Sequence, residues 1–181
     1  MVVTGLTGAG KTELLARLTA EGEQVLDLEA LARHRGSSFG RIGIREPQPS
    51  HDEFAGTVAR TVATADPTRP LWVEHEGPFI GSVGVPPWLV AAMDAAPAVH
   101  LDPPRAERVA RLAATYGDAD RRELLAALAR SRRRLGTERE SRASRAVRAG
   151  DIEAAIDAVL PWFDAAYLRR MDARGRARAA A

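Results

Sequence analysis

The sequence predicts an α/β fold of the phosphate-loop NTPase or kinase-like kind: a parallel sheet with flanking helices, and a helical, arginine-rich C-terminal third. Three observations predict it. Gly5-Leu6-Thr7-Gly8-Ala9-Gly10-Lys11-Thr12 completes a G-x-x-x-x-G-K-[ST] loop between an apolar run and a helical pattern. Short apolar runs alternate with helical segments, which implies parallel strands joined by right-handed crossovers. Of the 26 basic residues, 25 are arginine, so the chain's single lysine is Lys11 of that loop. An ammonium is a compact point charge that enters a ring of backbone N–H groups, where a planar guanidinium fork does not fit.

Each element follows from local pattern. Met1 to Thr4 is a short apolar run, read as a buried first strand. Leu14, Leu15 and Leu18 mark one face of a helix from Gly10 to about Ala20, stopped by Gly22. Gln24 to Leu28 reads as a second strand, followed by a helical turn over Glu29–Arg33 and a long loop from His34 to Ser50, rich in Gly, Ser and Pro. Phe54, Val58 and Val62 recur every four residues and predict a helix over Asp52–Ala65. Leu71-Trp72-Val73 is a third strand. Pro86-Pro87 opens a helix to about Ala95, with proline suited to the first turn. Ala98-Val99-His100-Leu101 is a fourth strand. From Arg105 onward the pattern is helical, with breaks expected at Gly117, Gly136, Gly150 and Pro161. Residues 174–181 read as a fraying, flexible tail.

At 181 residues and 45% hydrophobic, a single phosphate-loop nucleotide-binding domain over 1–181 is expected. The absence of cysteine excludes disulfides, thiolate metal sites and a cysteine nucleophile, and fits a cytoplasmic protein. No apolar run approaches the roughly 20 residues that span a bilayer, and the chain enters its first strand at once, so neither membrane attachment nor a signal peptide is expected. The net charge is only +2, yet ten arginines stand between Arg121 and Arg148 against Glu123, Glu138 and Glu140. Residues 116–148 are therefore a candidate lid or a basic helical surface for phosphate or RNA; a solvated helix face is the plain alternative.

The loop assigns roles residue by residue. Gly5, Thr7, Gly8, Ala9 and Gly10 would wrap a phosphate, Lys11 would touch its oxygens and Thr12 would meet Mg²⁺. The expected cofactors are ATP, or another phosphate-bearing ligand such as a diphosphate, and Mg²⁺. A carboxylate at a neighbouring strand end completes such a site, and Asp27 and Glu74 or Glu76 qualify: Asp27 or Glu76 as base or outer metal ligand, with Glu74 toward metal or substrate. Glu74 and Glu76 share one side of a continuing strand and His75 faces the other. Asp27 also reads as an N-cap. In His34-Arg35-Gly36-Ser37-Ser38, Arg35 could clamp phosphate, and His34, Ser37 and Ser38 could contact substrate at the carboxyl edge of a parallel sheet. Arg130, Arg133 and Arg134 share a helix face and could close over a triphosphate as a lid.

Taken together, Gly5–Thr12, Gln24–Glu29 and His34-Arg35-Gly36-Ser37-Ser38-Phe39-Gly40 resemble the nucleotide-binding half of bacterial tRNA 2-selenouridine synthase. Gln48-Pro49-Ser50, Trp72-Val73-Glu74 with Glu76, Ile80-Gly81, and Trp162-Phe163-Asp164 with Tyr167 extend the likeness to about Arg170. The resemblance implies exchange of sulfur for selenium on the wobble 2-thiouridine of tRNA, using selenophosphate, through an intermediate made from geranyl diphosphate. That family carries an N-terminal rhodanese domain with an essential cysteine, and here no such segment precedes the loop. A separate rhodanese-domain subunit would complete the enzyme; otherwise the domain does different chemistry, such as ATP-dependent phosphorylation of a nucleoside, antibiotic or other small hydroxyl acceptor, or non-catalytic nucleotide sensing. Where the family has Glu-Ser-Arg before Ile-Gly, this chain has Glu76-Gly77-Pro78-Phe79, which bears on substrate identity more than on nucleotide binding.

Overall fold

The computed structural model describes residues 1–179, with side chains described through Asp172. They group into two compact units, Met1–Gly5 with Gly10–Leu101, and Leu6–Ala9 with the described residues from Asp102 onward.

In the first unit, β1 (Val2–Gly5) is buried throughout its length, as its apolar run requires. It lies between β3 (Leu71–Glu74) and β6 (Ala98–Leu101), and β2 (Gln24–Leu26) pairs with the far side of β3, giving the order β2-β3-β1-β6. All three pairings are parallel. Register sets Val3 opposite Glu74 and Gly5 opposite Leu101. The end of β3 therefore stands beside the start of the phosphate loop, which makes Glu74 a neighbour of Lys11. Helices α1 (Lys11–Ala20), α2 (Leu28–Ala32), α3 (His51–Thr64) and α4 (Pro87–Ala95) flank the sheet chain. Ser50 caps α3 by accepting from Glu53 N at 3.2 Å, while Glu53 accepts from Ser50 N at 2.8 Å. Val2, Leu26, Leu28, Phe54, Val58 and Val73 centre the core.

A two-stranded hairpin, β4 (Phe79–Ile80) with β5 (Val83–Gly84), adds to the expected strands. Two residues per strand are too few to show alternation, so periodicity does not reveal it. Gln48 binds the hairpin with its whole amide: Nε2 donates to Ala32 O and Ile80 O, and Oε1 accepts from the N–H and hydroxyl of Ser82.

The second unit carries α5 (Arg105–Tyr116), α6 (Arg121–Leu135), α7 (Thr137–Ala149) and α8 (Ile152–Ala179). Breaks fall at Gly117, Gly136 and Gly150 as expected. Pro161 is a correction: it lies inside α8 without ending it. A proline there lacks the N–H that would bond the carbonyl four residues back. That carbonyl, Asp157 O, accepts from Arg105 Nη2 at 2.9 Å, and Arg105 Nε donates to the Asp157 carboxylate at 2.9 Å. The freed acceptor is thus satisfied by a side chain from α5, and the proline ring faces solvent. Leu124, Leu128, Leu135, Val147, Val159 and Leu160 fill this unit's interior. The tail expected to fray, 174–181, lies outside the residues described with side chains, and its last two residues lie outside the described residues altogether. No described helix is long and apolar enough to cross a membrane.

Candidate functional site

The site starts at the loop that ends β1. Gly10 adopts φ 92° and turns the chain into α1, whose N-terminus carries no side-chain cap. An uncapped helix start presents backbone N–H groups and the positive end of the dipole, which suits an anion. Lys11 Nζ donates to Gly5 O at 2.9 Å and stands 3.5 Å from Glu74 Oε1. Thr12 Oγ1 donates to Glu74 Oε2 at 3.2 Å. Lys11, Thr12 and Glu74 are therefore one cluster, with Glu74 buried at 6% exposure.

Glu29, Glu74 and Glu76 each bring a carboxylate oxygen within 4.8 Å of the others. Glu74 and Glu76 do share a side, as strand alternation requires, while His75 turns to Asp94 at 3.7 Å. Glu29 arrives from the first turn of α2. Burial, followed by the charges of Glu74 and Glu76, pushes its carboxyl up to about 9. Gly36 closes over this group with φ +62°, and a Cβ there would lie 2.8 Å from Glu29 Oε1 and 3.2 Å from Glu76 Oε2. Glycine is needed both for the backbone angle and for the approach. The loop segment that carries the family likeness thus shapes the carboxylate cluster through its backbone.

Hard oxygen donors of this kind, three carboxylates beside a threonine hydroxyl, fit Mg²⁺.

Other expected site residues have different local roles. Asp27 caps α2, accepting from Ala30 N at 2.9 Å, and is not among the three converging carboxylates. Arg35 donates to Ile42 O at 2.8 Å, tying its own loop. Ser37 Oγ accepts from Phe39 N at 3.1 Å. Ser38 is half-buried in that turn. His34 is buried at 7% exposure, with Nδ1 lacking a hydrogen-bond partner and its ring packed against Gly40 and Gly81. Burial, then the charge of Arg41, lowers its pKa. Arg130, Arg133 and Arg134 are exposed on α6.

In the second unit, Leu6–Ala9 forms the crest of the loop. Ala9 N donates to Leu6 O at 3.0 Å, so this N–H serves the loop's own turn. Arg108 is 4% exposed; its Nε donates to Thr7 O at 2.9 Å, and its two Nη atoms grip Asp164. Arg111 Nη1 donates to Gly8 O at 2.8 Å. Gly8 has φ +78°, and a Cβ on it would meet Arg108 O at 2.9 Å and Leu112 at 3.0 Å. Two arginines of α5 therefore hold two successive carbonyls of the loop. Sequence alone singles out neither: Asp164 stands 56 residues from Arg108, and nothing local marks the pairing. Glu29 is hidden differently, since an acid in a first helical turn reads as a complement to the dipole.

The sequence profile described as the AAA domain of tRNA 2-selenouridine synthase matches residues 1–158. Among curated proteins, the chain is similar to tRNA 2-selenouridine synthase of Cupriavidus pinatubonensis, 42% identical over 64% of this chain and 31% of that protein. The protein of the same name from Marinobacter nauticus is 37% identical over 76% of this chain and 41% of its own length. That of Pseudomonas putida is 35% identical over 82% and 44%. The chain thus spans less than half the length of these relatives. No solved structure matches it.

Proposed function

The chain belongs to the family of the tRNA 2-selenouridine synthase AAA domain, and from that premise we propose that it is the phosphate-handling part of a transferase that modifies the wobble uridine of tRNA. The observation that carries this is the Lys11–Thr12–Glu74 cluster at the start of α1, with Glu29 and Glu76 converging on it. Lys11 neutralises the oxygens of a bound di- or triphosphate, taking them in place of the Gly5 carbonyl. Thr12 and Glu74 would hold Mg²⁺, which would supply charge stabilisation on the phosphate oxygens. Glu29 keeps a proton on its carboxyl at neutral pH; a bound cation would favour its ionised form, in which it would accept a proton from an attacking group. Glu76 adds negative charge, and Gly36 keeps the carboxylates together. Arg35 and the α6 arginines, Arg130, Arg133 and Arg134, belong to this reading as groups that approach phosphate during turnover. In this reading the nucleophile for selenium transfer comes from a rhodanese-type partner.

Equilibrium binding of ATP, GTP, geranyl diphosphate and pyrophosphate, each with and without Mg²⁺, tests the reading. The expected result is Mg²⁺-dependent binding of at least one of them, abolished in Lys11→Ala, together with binding of tRNA at low salt. ATP turnover stimulated by a small hydroxyl compound and indifferent to tRNA would replace this reading with a kinase.

A further inference from the structure

The modest net charge conceals a sharp division. Residues 121–148 hold ten arginines and three glutamates, +7, so the rest of the chain sums to −5. The structure resolves this stretch into α6 and α7. Leu124, Ala127, Leu128, Leu135, Ala143 and Val147 point into the unit, and the arginines are exposed. On α7, Arg139, Arg142, Arg145 and Arg148 recur every three residues and form one oblique ridge. Arg139 donates to Leu135 O, and Arg132 approaches Glu140 at 3.9 Å. Arg142, Arg145 and Arg148 carry no ion pair or hydrogen bond among the described residues.

We propose that the exposed arginine ridge of α7 docks the phosphate backbone of RNA. The inference rests on the tRNA reading above and adds where the RNA is held. Guanidinium forks match phosphate oxygens in pairs, and every cation here is an arginine. Residues 121–148 contain no Phe, Trp or Tyr. Protein interfaces set arginine among enriched aromatic side chains and methionine, and base-reading surfaces on single-stranded RNA stack bases on aromatic rings. Their absence leaves backbone contact, which positions a nucleic acid without reading its sequence. Among the described residues the exposed large apolar side chains, Phe79, Trp88 and Leu168, all lie outside this stretch, so charge is what the ridge offers. A polyanion with regularly spaced phosphates is the partner that fits.

The test uses the full chain and an unmodified tRNA transcript, with fluorescence anisotropy at 50 to 200 mM KCl. The variant is Arg142→Gln/Arg145→Gln/Arg148→Gln. Removing one arginine from a phosphate lowers the slope of log affinity against log salt by about 0.7–0.9. The triple variant should therefore show a slope smaller by about 2–3 and an affinity lower by at least about 30-fold at 100 mM salt. Affinity for the Mg²⁺-phosphate ligand and the melting temperature should stay at wild-type values, which separates a docking defect from a folding defect. Arg45→Gln/Arg60→Gln, two exposed arginines of the first unit, should leave the slope unchanged. If the triple variant binds RNA as tightly as wild type, with the same slope, the ridge is not the docking surface, although the tRNA reading stands. If Arg45→Gln/Arg60→Gln lowers the slope equally, RNA binding is diffuse and the assignment fails. If the wild-type chain binds no RNA at 50 mM salt, the tRNA reading falls, and this inference with it.

Discussion

The two units gather like charges in opposite ways. In the first, three carboxylates are drawn together under Gly36 and around Lys11, and burial, followed by the neighbouring carboxylates, pushes Glu29 up to about 9. In the second, the arginines of α6 and α7 spread over solvent, where water and salt screen them. Crowded, partly buried charge costs stability unless it is protonated or paired, as Glu29 and Glu74 are here. Spread, exposed charge costs little and stays accessible to solvent. The contrast extends to the arginines themselves. Arg108 is 4% exposed and gripped by Asp164, whereas Arg142 and Arg145 stand in solvent with no ion pair among the described residues.

The strongest way to break the comparison is through that buried arginine. Arg108→Ala leaves Asp164 and Thr7 O without their donor and should destabilise the chain by about 3–5 kcal/mol, read by urea denaturation. Lys11→Ala should weaken the Mg²⁺-phosphate ligand by at least about 100-fold, the scale of removing a charge-assisted hydrogen bond to phosphate, measured by titration calorimetry. Next comes pH. Glu29 binds a proton in the folded chain up to about 9, against an ordinary carboxylate value of 4.5. The folded state then holds the extra proton between those values, so stability falls as pH rises through that window. The melting temperature of the Mg²⁺-free chain should decline from pH 5 to pH 9, and Glu29→Gln should flatten the decline; an equal slope in both proteins would remove Glu29 as its cause. Ser50→Ala, which breaks the capping box, should cost about 1 kcal/mol. Smallest of all, Arg142→Ala should change stability by less than about 0.5 kcal/mol, while still weakening RNA binding.

What is legible from sequence divides along the same line as local and distant interactions. The parallel strands and the phosphate loop can be read because apolar runs and the G-x-x-x-x-G-K-T spacing are contiguous in the chain. Helix breaks at Gly117, Gly136 and Gly150 are legible for the same reason. Pro161 misleads because its compensation comes from Arg105, beyond any local window. Glu74 and Glu76 are visible at a strand end, but Glu29 joins them only through the fold. Asp27 can be read two ways, and its hydrogen bond with Ala30 N is the capping one. The resemblance covers His34 to Gly40 without showing that Gly36 acts through its backbone.

The four central positions of a phosphate loop are written as wildcards, and Gly8 occupies one of them. Here α5 leaves that position no room for even one methyl group. A pattern search therefore overstates how freely this motif can vary. An engineer who moved Gly5–Thr12 alone into another scaffold would carry its spacing but lose the wall that gives the crest its shape. The unit to transplant is the loop together with the helix bearing Arg108, Arg111 and Leu112, far downstream in the chain.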